Sequence, residues 1–73
     1  MEQALDATYP TVARWVIEYG WIEIGEGDTS RSFIRALDEG GLVWEGRAQY
    51  PTLDAALQDL EIGLAAWMQD QGL

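Results

Sequence analysis

The stretch that decides the fold is residues 21–48, WIEIGEGDTSRSFIRALDEGGLVWEGRA. Trp21-Ile22-Glu23-Ile24 alternates with a period of two, as a half-buried strand does. Gly25-Glu26-Gly27-Asp28-Thr29-Ser30 is turn chemistry, with glycines for positive φ and hydroxyls and carboxylates for local bonds. Ser32-Phe33-Ile34-Arg35-Ala36-Leu37 alternates again, Asp38-Glu39-Gly40-Gly41 is a second turn, and Leu42 to Ala48 is a third strand. The connections are too short for crossover helices, so three strands in succession predict an antiparallel meander.

Outward from this stretch the period becomes helical. On the N-terminal side, Pro10 suits the first turn of a helix over Pro10–Tyr19. Val12, Ala13, Val16 and Ile17 form its apolar stripe, with Trp15 and Tyr19 beside it. Gly20 is expected to close that helix in the left-handed region. Residues 1–8 carry little pattern: Ala4, Leu5 and Ala7 fit either a weak helical turn or a mobile end. On the C-terminal side, Tyr50-Pro51-Thr52-Leu53 repeats Tyr9-Pro10-Thr11-Val12, which reads as two helix starts solved in one way. Thr52 is the expected N-cap, and Asp54 favours the positive end of the helix. Leu53, Leu57, Leu60, Leu64 and Trp67 or Met68 follow at helical spacing over 53–69, with Gly72 closing. Ala56 and Gly63 would let a sheet approach closely.

The expected architecture is α+β: one domain over residues 1–73, two layers in the order α-β-β-β-α, with the meander packed against the C-terminal helix. Its covered face is expected to carry Ile22, Ile24, Ile34, Ala36, Leu42 and Trp44. The other face would carry Trp21, Glu23, Phe33, Arg35, Leu37, Val43, Glu45 and Arg47. Arg35, on the middle strand, could pair with Glu23 and Glu45, each exposed pair being worth under about 1 kcal/mol.

Composition narrows function by elimination. The chain has 13 acids, 4 arginines and a net charge of −9, with no Cys, His or Lys. That removes thiolate and zinc–thiolate chemistry, the usual neutral-pH base and the usual metal ligand, and Schiff-base chemistry. No cofactor is expected. A nucleic-acid or anionic-membrane partner is disfavoured, because phosphate neutralisation needs clustered cations. No apolar run reaches membrane-spanning length, and the N-terminus has no signal-peptide pattern. A cytoplasmic, non-enzymatic protein is expected. Hydrophobic content of 48% with 4 Trp, 3 Tyr and 1 Phe is enough for a core.

The carboxylates Glu23, Glu26, Asp28, Asp38, Glu39 and Glu45 read as solvated strand and turn acids, since a three-stranded sheet offers little cleft for an acid–base pair. Ser30-Arg31-Ser32 reads as a turn exit neutralising Asp28, with an anion contact as the alternative. Gly25-x-Gly27 lacks the helix a dinucleotide fingerprint needs. Trp44 and Trp67 fall on core stripes; Trp15 and Trp21 do not, and Trp is enriched at interface hot spots.

Two resemblances bear on this reading. The α-β-β-β-α order resembles the double-stranded-RNA-binding domain. That family grips phosphates through a basic start to its last helix, where this chain has Thr52-Leu53-Asp54 and then Asp59 and Glu61, so RNA binding is not implied. The strand over 42–48 and Thr52-Leu53-Asp54-Ala55-Ala56-Leu57-Gln58-Asp59-Leu60-Glu61 resemble the closing strand and T-L-x-E-A-L-x-x-A helix of HicB-like antitoxin domains. The match falls on Thr52, Leu53, Ala56 and Leu57; here, unlike in that family, a helix precedes the first strand. The resemblance implies a related fold and a basic protein partner.

The expectation is therefore a small acidic protein-interaction module. An antitoxin-like or nucleic-acid-mimic inhibitor of a basic protein is the alternative. The interface candidates are Trp21, Phe33, Arg35, Leu37 and Val43 on the sheet face away from the helices. The face would meet either a second copy, as a homodimer, or another protein, unless the N-terminal segment with Leu5 and Trp15 folds over it.

Overall fold

The computed structural model describes residues 7–25 and 31–73. The elements are helix α1 (Pro10–Glu18), strands β1 (Trp21–Ile24), β2 (Ile34–Asp38) and β3 (Gly41–Glu45), and helix α2 (Leu53–Gln71). The strands form one antiparallel sheet in the order β1-β2-β3. α1 packs on β1 and on α2, and α2 packs on β2 and β3. The fold is the two-layer α+β arrangement that the periods predict. Ala7 and Thr8 are helical; Ala4 and Leu5, and the turn residues Glu26 to Ser30, lie outside the described residues.

α1 starts at Pro10, as its fixed φ favours. Its buried residues are Val12, Ala13 and Trp15, whereas Val16 is 43% and Ile17 76% exposed. The expected stripe is therefore rotated. Trp15, expected beside the stripe and off the core, is 1% exposed and stands at the centre of the core. Its size decides this. The Trp15 ring meets Trp67 edge-on at 5.6 Å and stacks on Tyr19 at 5.5 Å. Its Nε1 donates to the carbonyl oxygens of Trp21 (3.3 Å) and Leu37 (3.2 Å), so the one polar atom of the ring is satisfied. Gly20 is not left-handed, contrary to expectation. It is needed instead because a Cβ there would strike the Leu37 carbonyl oxygen.

In α2 the Thr52 hydroxyl accepts the Ala55 N–H at 3.0 Å, as an N-cap should. Ala56, Leu60, Leu64 and Met68 are buried at four-residue spacing. Leu57 and Trp67 are half-buried, and Leu53, the first residue of the helix, is exposed. The helix runs two residues past the expected end. Gly72 closes it at φ 80°, and the Leu73 N–H bonds the Met68 carbonyl at 2.9 Å.

The sheet register is Trp21↔Leu37, Ile22↔Ala36, Glu23↔Arg35 and Ile24↔Ile34, then Arg35↔Glu45, Ala36↔Trp44 and Leu37↔Leu42. A bulge falls opposite Ala36/Leu37. It inserts one residue into β3, so side chains before it change face. Leu42 thereby moves to the outer face, 54% exposed, and Val43 is half-buried against the core; the expectation for these two is reversed. Ile34 and Ala36 are fully buried, as expected. Ile24 shares their face but is 51% exposed, because it ends an edge strand.

Candidate interaction surface

The outer face of the sheet, away from both helices, is built of two cross-strand rows. The first is Trp21–Leu37–Leu42, one residue from each strand, placed side by side by the register. Trp21 is 44% exposed and Leu37 is half-buried. The second row is Glu23–Arg35–Glu45. The alternation of β1 and β2 puts the apolar row at the end near α1 and the charged row next to it.

Arg35 is only 6% exposed. Its Nη1 donates to Glu23 Oε1 at 3.1 Å, and its Nη2 to the carbonyl oxygens of Gly25 (2.9 Å) and Ser32 (2.8 Å). Its Nε donates to the Ser32 hydroxyl at 3.2 Å. One planar guanidinium thus ties together the two ends of the β1–β2 connection, a task for which its fixed fork suits it. The expected Glu23 partner is present, but the pair is half-buried and not freely exposed. Ser32, expected in a polar turn exit, is buried beneath Arg35. The Trp21 indole N–H donates to Glu23 Oε2 at 3.2 Å, which holds that ring over the charged row.

Of the expected interface residues, Trp21, Arg35 and Leu37 share this face, with Arg35 buried in it. Val43 leaves it through the bulge. Phe33 stands just before β2, meets Tyr50 edge-on at 6.2 Å and packs against the core. Leu42 is the residue that sequence reasoning missed. The two glycines before it, Gly40 and Gly41, signal a turn; nothing in the apolar pattern locates a bulge.

The remaining carboxylates divide by partner. Glu61 of α2 accepts the N–H groups of Thr11 (Oε2) and Val12 (Oε1), each at 3.0 Å. The two repeated Tyr-Pro-Thr motifs both deliver their tyrosine to α2: Tyr9 donates to Asp54, and Tyr50 to Asp59 at 2.5 Å. The bond to Asp54 is the main cause that raises the Tyr9 hydroxyl above its ordinary pKa. For Tyr50 the main cause is desolvation, reinforced by the bond to Asp59. A depression of about 530 Å³ lies between α1 and the end of α2, lined by Pro10, Arg14, Met68 and Leu73 among others, and no Asp or Glu is among its described lining residues. Among the described residues no cluster of three Asp or Glu is placed to hold a metal, and no helix is long and apolar enough to cross a membrane. Comparison with protein-family models, curated proteins and solved structures finds no match, so the geometry alone carries the functional reading.

Proposed function

We propose that this chain is a small non-enzymatic interaction module that binds a basic protein through the outer face of its sheet. The observation that supports this most is the Trp21–Leu37–Leu42 row beside Glu23 and Glu45. An apolar centre next to a charged rim is the anatomy of a protein interface. Arg35 spends its donors within its own chain, so this face offers a partner carboxylates and aromatic surface more than positive charge. In a chain of net charge −9 that favours a basic partner over a second copy, because two copies would bring like fields together. The same charge disfavours nucleic acid. A cytoplasmic site of action goes with this reading, and so does the antitoxin-like form of it, in which the acidic face covers and silences a basic protein.

The test compares the wild-type chain with the Trp21→Ala, Leu42→Ala double variant as bait. Each retained protein is identified, purified and titrated against both baits by calorimetry. A partner of basic isoelectric point that loses about 100-fold or more in affinity on the double variant is the expected result. A partner that binds both baits equally, or a wild-type chain that is a stable dimer by ultracentrifugation, would overturn the reading.

A further inference from the structure

The outer edge of β1, which pairs with no strand among the described residues, is the part of the sheet best suited to take another strand. The Gly25 N–H bonds the Phe33 carbonyl at 2.6 Å, which sets the alternation of the β1–β2 ladder. By that alternation Trp21 and Glu23 exchange hydrogen bonds with Leu37 and Arg35, while the N–H and C=O of Ile22 and Ile24 point away from β2. No described residue hydrogen-bonds these four groups. The other edge, β3, is broken by its bulge, which blunts strand addition.

Three further features point outward from the same edge. Ile24 is 51% exposed at the end of the covered face. α1 lies over β1, with α2 covering β2 and β3, so the side of α1 turned away from α2 overhangs this edge. Trp15 faces Trp67 of α2. The next two residues, Val16 and Ile17, turn about 100° and 200° further round the helix and are the exposed apolar residues of α1. The acidic group beside this edge is Glu23 on the outer face, its side chain 49% exposed and paired with Arg35; Glu18 pairs with Arg14 on the other side of α1.

We propose that β1 is a strand-addition site: an extended basic segment of the partner pairs with Ile22 and Ile24 as a fourth strand. Its apolar residues lie against Ile22, Ile24, Val16 and Ile17, and its alternate Lys or Arg residues lie beside Glu23 on the outer face. Main-chain bonds supply affinity and the alternation supplies specificity. A second copy of β1 fits poorly, because it would set Glu23 near its own equivalent and add one acidic field to another. The proposal rests on the reading of the chain as a binder of basic proteins and specifies how the partner docks.

The test titrates the isotope-labelled full chain with an acetylated, amidated octapeptide of alternating lysine and valine, with two control peptides. One control has the same residues in two blocks; the other alternates glutamate and valine. Ile22 and Ile24 amides should exchange rapidly in the free chain and slow by about tenfold or more with the alternating lysine peptide alone. Ile24→Pro should abolish that binding with the fold intact by circular dichroism, because the lost N–H does not serve β2.

Several results overturn strand addition. Peptide shifts at Trp21 and Leu42 with unchanged Ile22 and Ile24 exchange would do so, while leaving the sheet-face reading standing. No binding at about 1 mM peptide would do so too. Ile22 and Ile24 amides already protected in a dimeric free chain would assign the edge to a second copy.

Discussion

The indole of Trp44 lies against Gly63 of α2 so closely that a Cβ on Gly63 would overlap its five-membered ring. Two effects then oppose each other in Gly63→Ala. Alanine favours a helix interior by about 1 kcal/mol. Overpacking of a buried contact typically costs about 1–3 kcal/mol, and here the whole ring must move. The net expectation is a loss of about 1–2 kcal/mol in urea unfolding. Trp44→Phe combined with Gly63→Ala should recover part of it, because the smaller ring clears the methyl group. A stabilised Gly63→Ala variant would mean that α2 does not sit this close to the sheet.

Arg35 makes a sharper prediction. Arg35→Ala leaves the Ser32 hydroxyl and the Ser32 and Gly25 carbonyl oxygens without the donors they now share. A hydrogen bond from a charged donor is worth about 1.5–3 kcal/mol, so a loss of about 2–4 kcal/mol is expected for the set. Arg35→Lys should recover little, since a point ammonium cannot reach all of these acceptors at once. Arg14 is the control. Its contact with Glu18 at 3.7 Å is exposed, and Arg14→Ala should stay within about 0.5 kcal/mol of wild type. Equal losses for the two arginines would refute the special role of Arg35.

These two arginines also show what a sequence makes legible. Alternation and turn residues were enough to place three strands and pair Arg35 with Glu23, because those are local properties. That Arg35 would be buried depends on where the backbone carbonyls of Gly25 and Ser32 fall, which no side-chain pattern records. The face of Leu42 and Val43 depended on one inserted residue, and a period-two pattern cannot show which strand carries it. In α1 the aliphatic residues Val16 and Ile17 outvoted Trp15 in the stripe, although the indole buries more surface than either. The Tyr-Pro-Thr repeat was legible as two helix starts. That its two tyrosines would both reach carboxylates of α2 was not, because Tyr9 and Asp54 are far apart in the chain.

Glu61 supplies a cap that α1 cannot make for itself. The N-cap position is Tyr9, which has no side-chain bond to the helix start, and the N–H groups of Thr11 and Val12 go to the Glu61 carboxylate. A carboxylate at a helix N-terminus also meets the positive end of the macrodipole. Glu61→Ala should therefore cost about 1–2 kcal/mol. The loss should be local as well as global: amides in α1 should exchange faster relative to those of α2. Glu61→Gln keeps an acceptor without the charge and should fall between the two. Uniform acceleration across both helices would show that Glu61 does not hold α1 specifically.

The two tyrosine–carboxylate pairs predict the response to alkali. Both hydroxyls have their pKa raised in the folded chain above the ordinary value of 10.0, Tyr9 chiefly by donating to Asp54 and Tyr50 chiefly by desolvation. A raised pKa means that the folded chain holds these protons more tightly than the unfolded chain does. The resulting stability is fully present below about pH 10 and is lost as pH rises through the folded values, because the unfolded state then releases protons first. Ionised tyrosine beside Asp54 or Asp59 would also place two negative groups in contact. Stability measured in urea should therefore fall steeply above about pH 10 in the wild type. Tyr9→Phe with Tyr50→Phe should be less stable at neutral pH, having lost two hydrogen bonds, yet decline less steeply in alkali. An alkaline decline as steep in the double variant as in the wild type would place the titrating groups elsewhere.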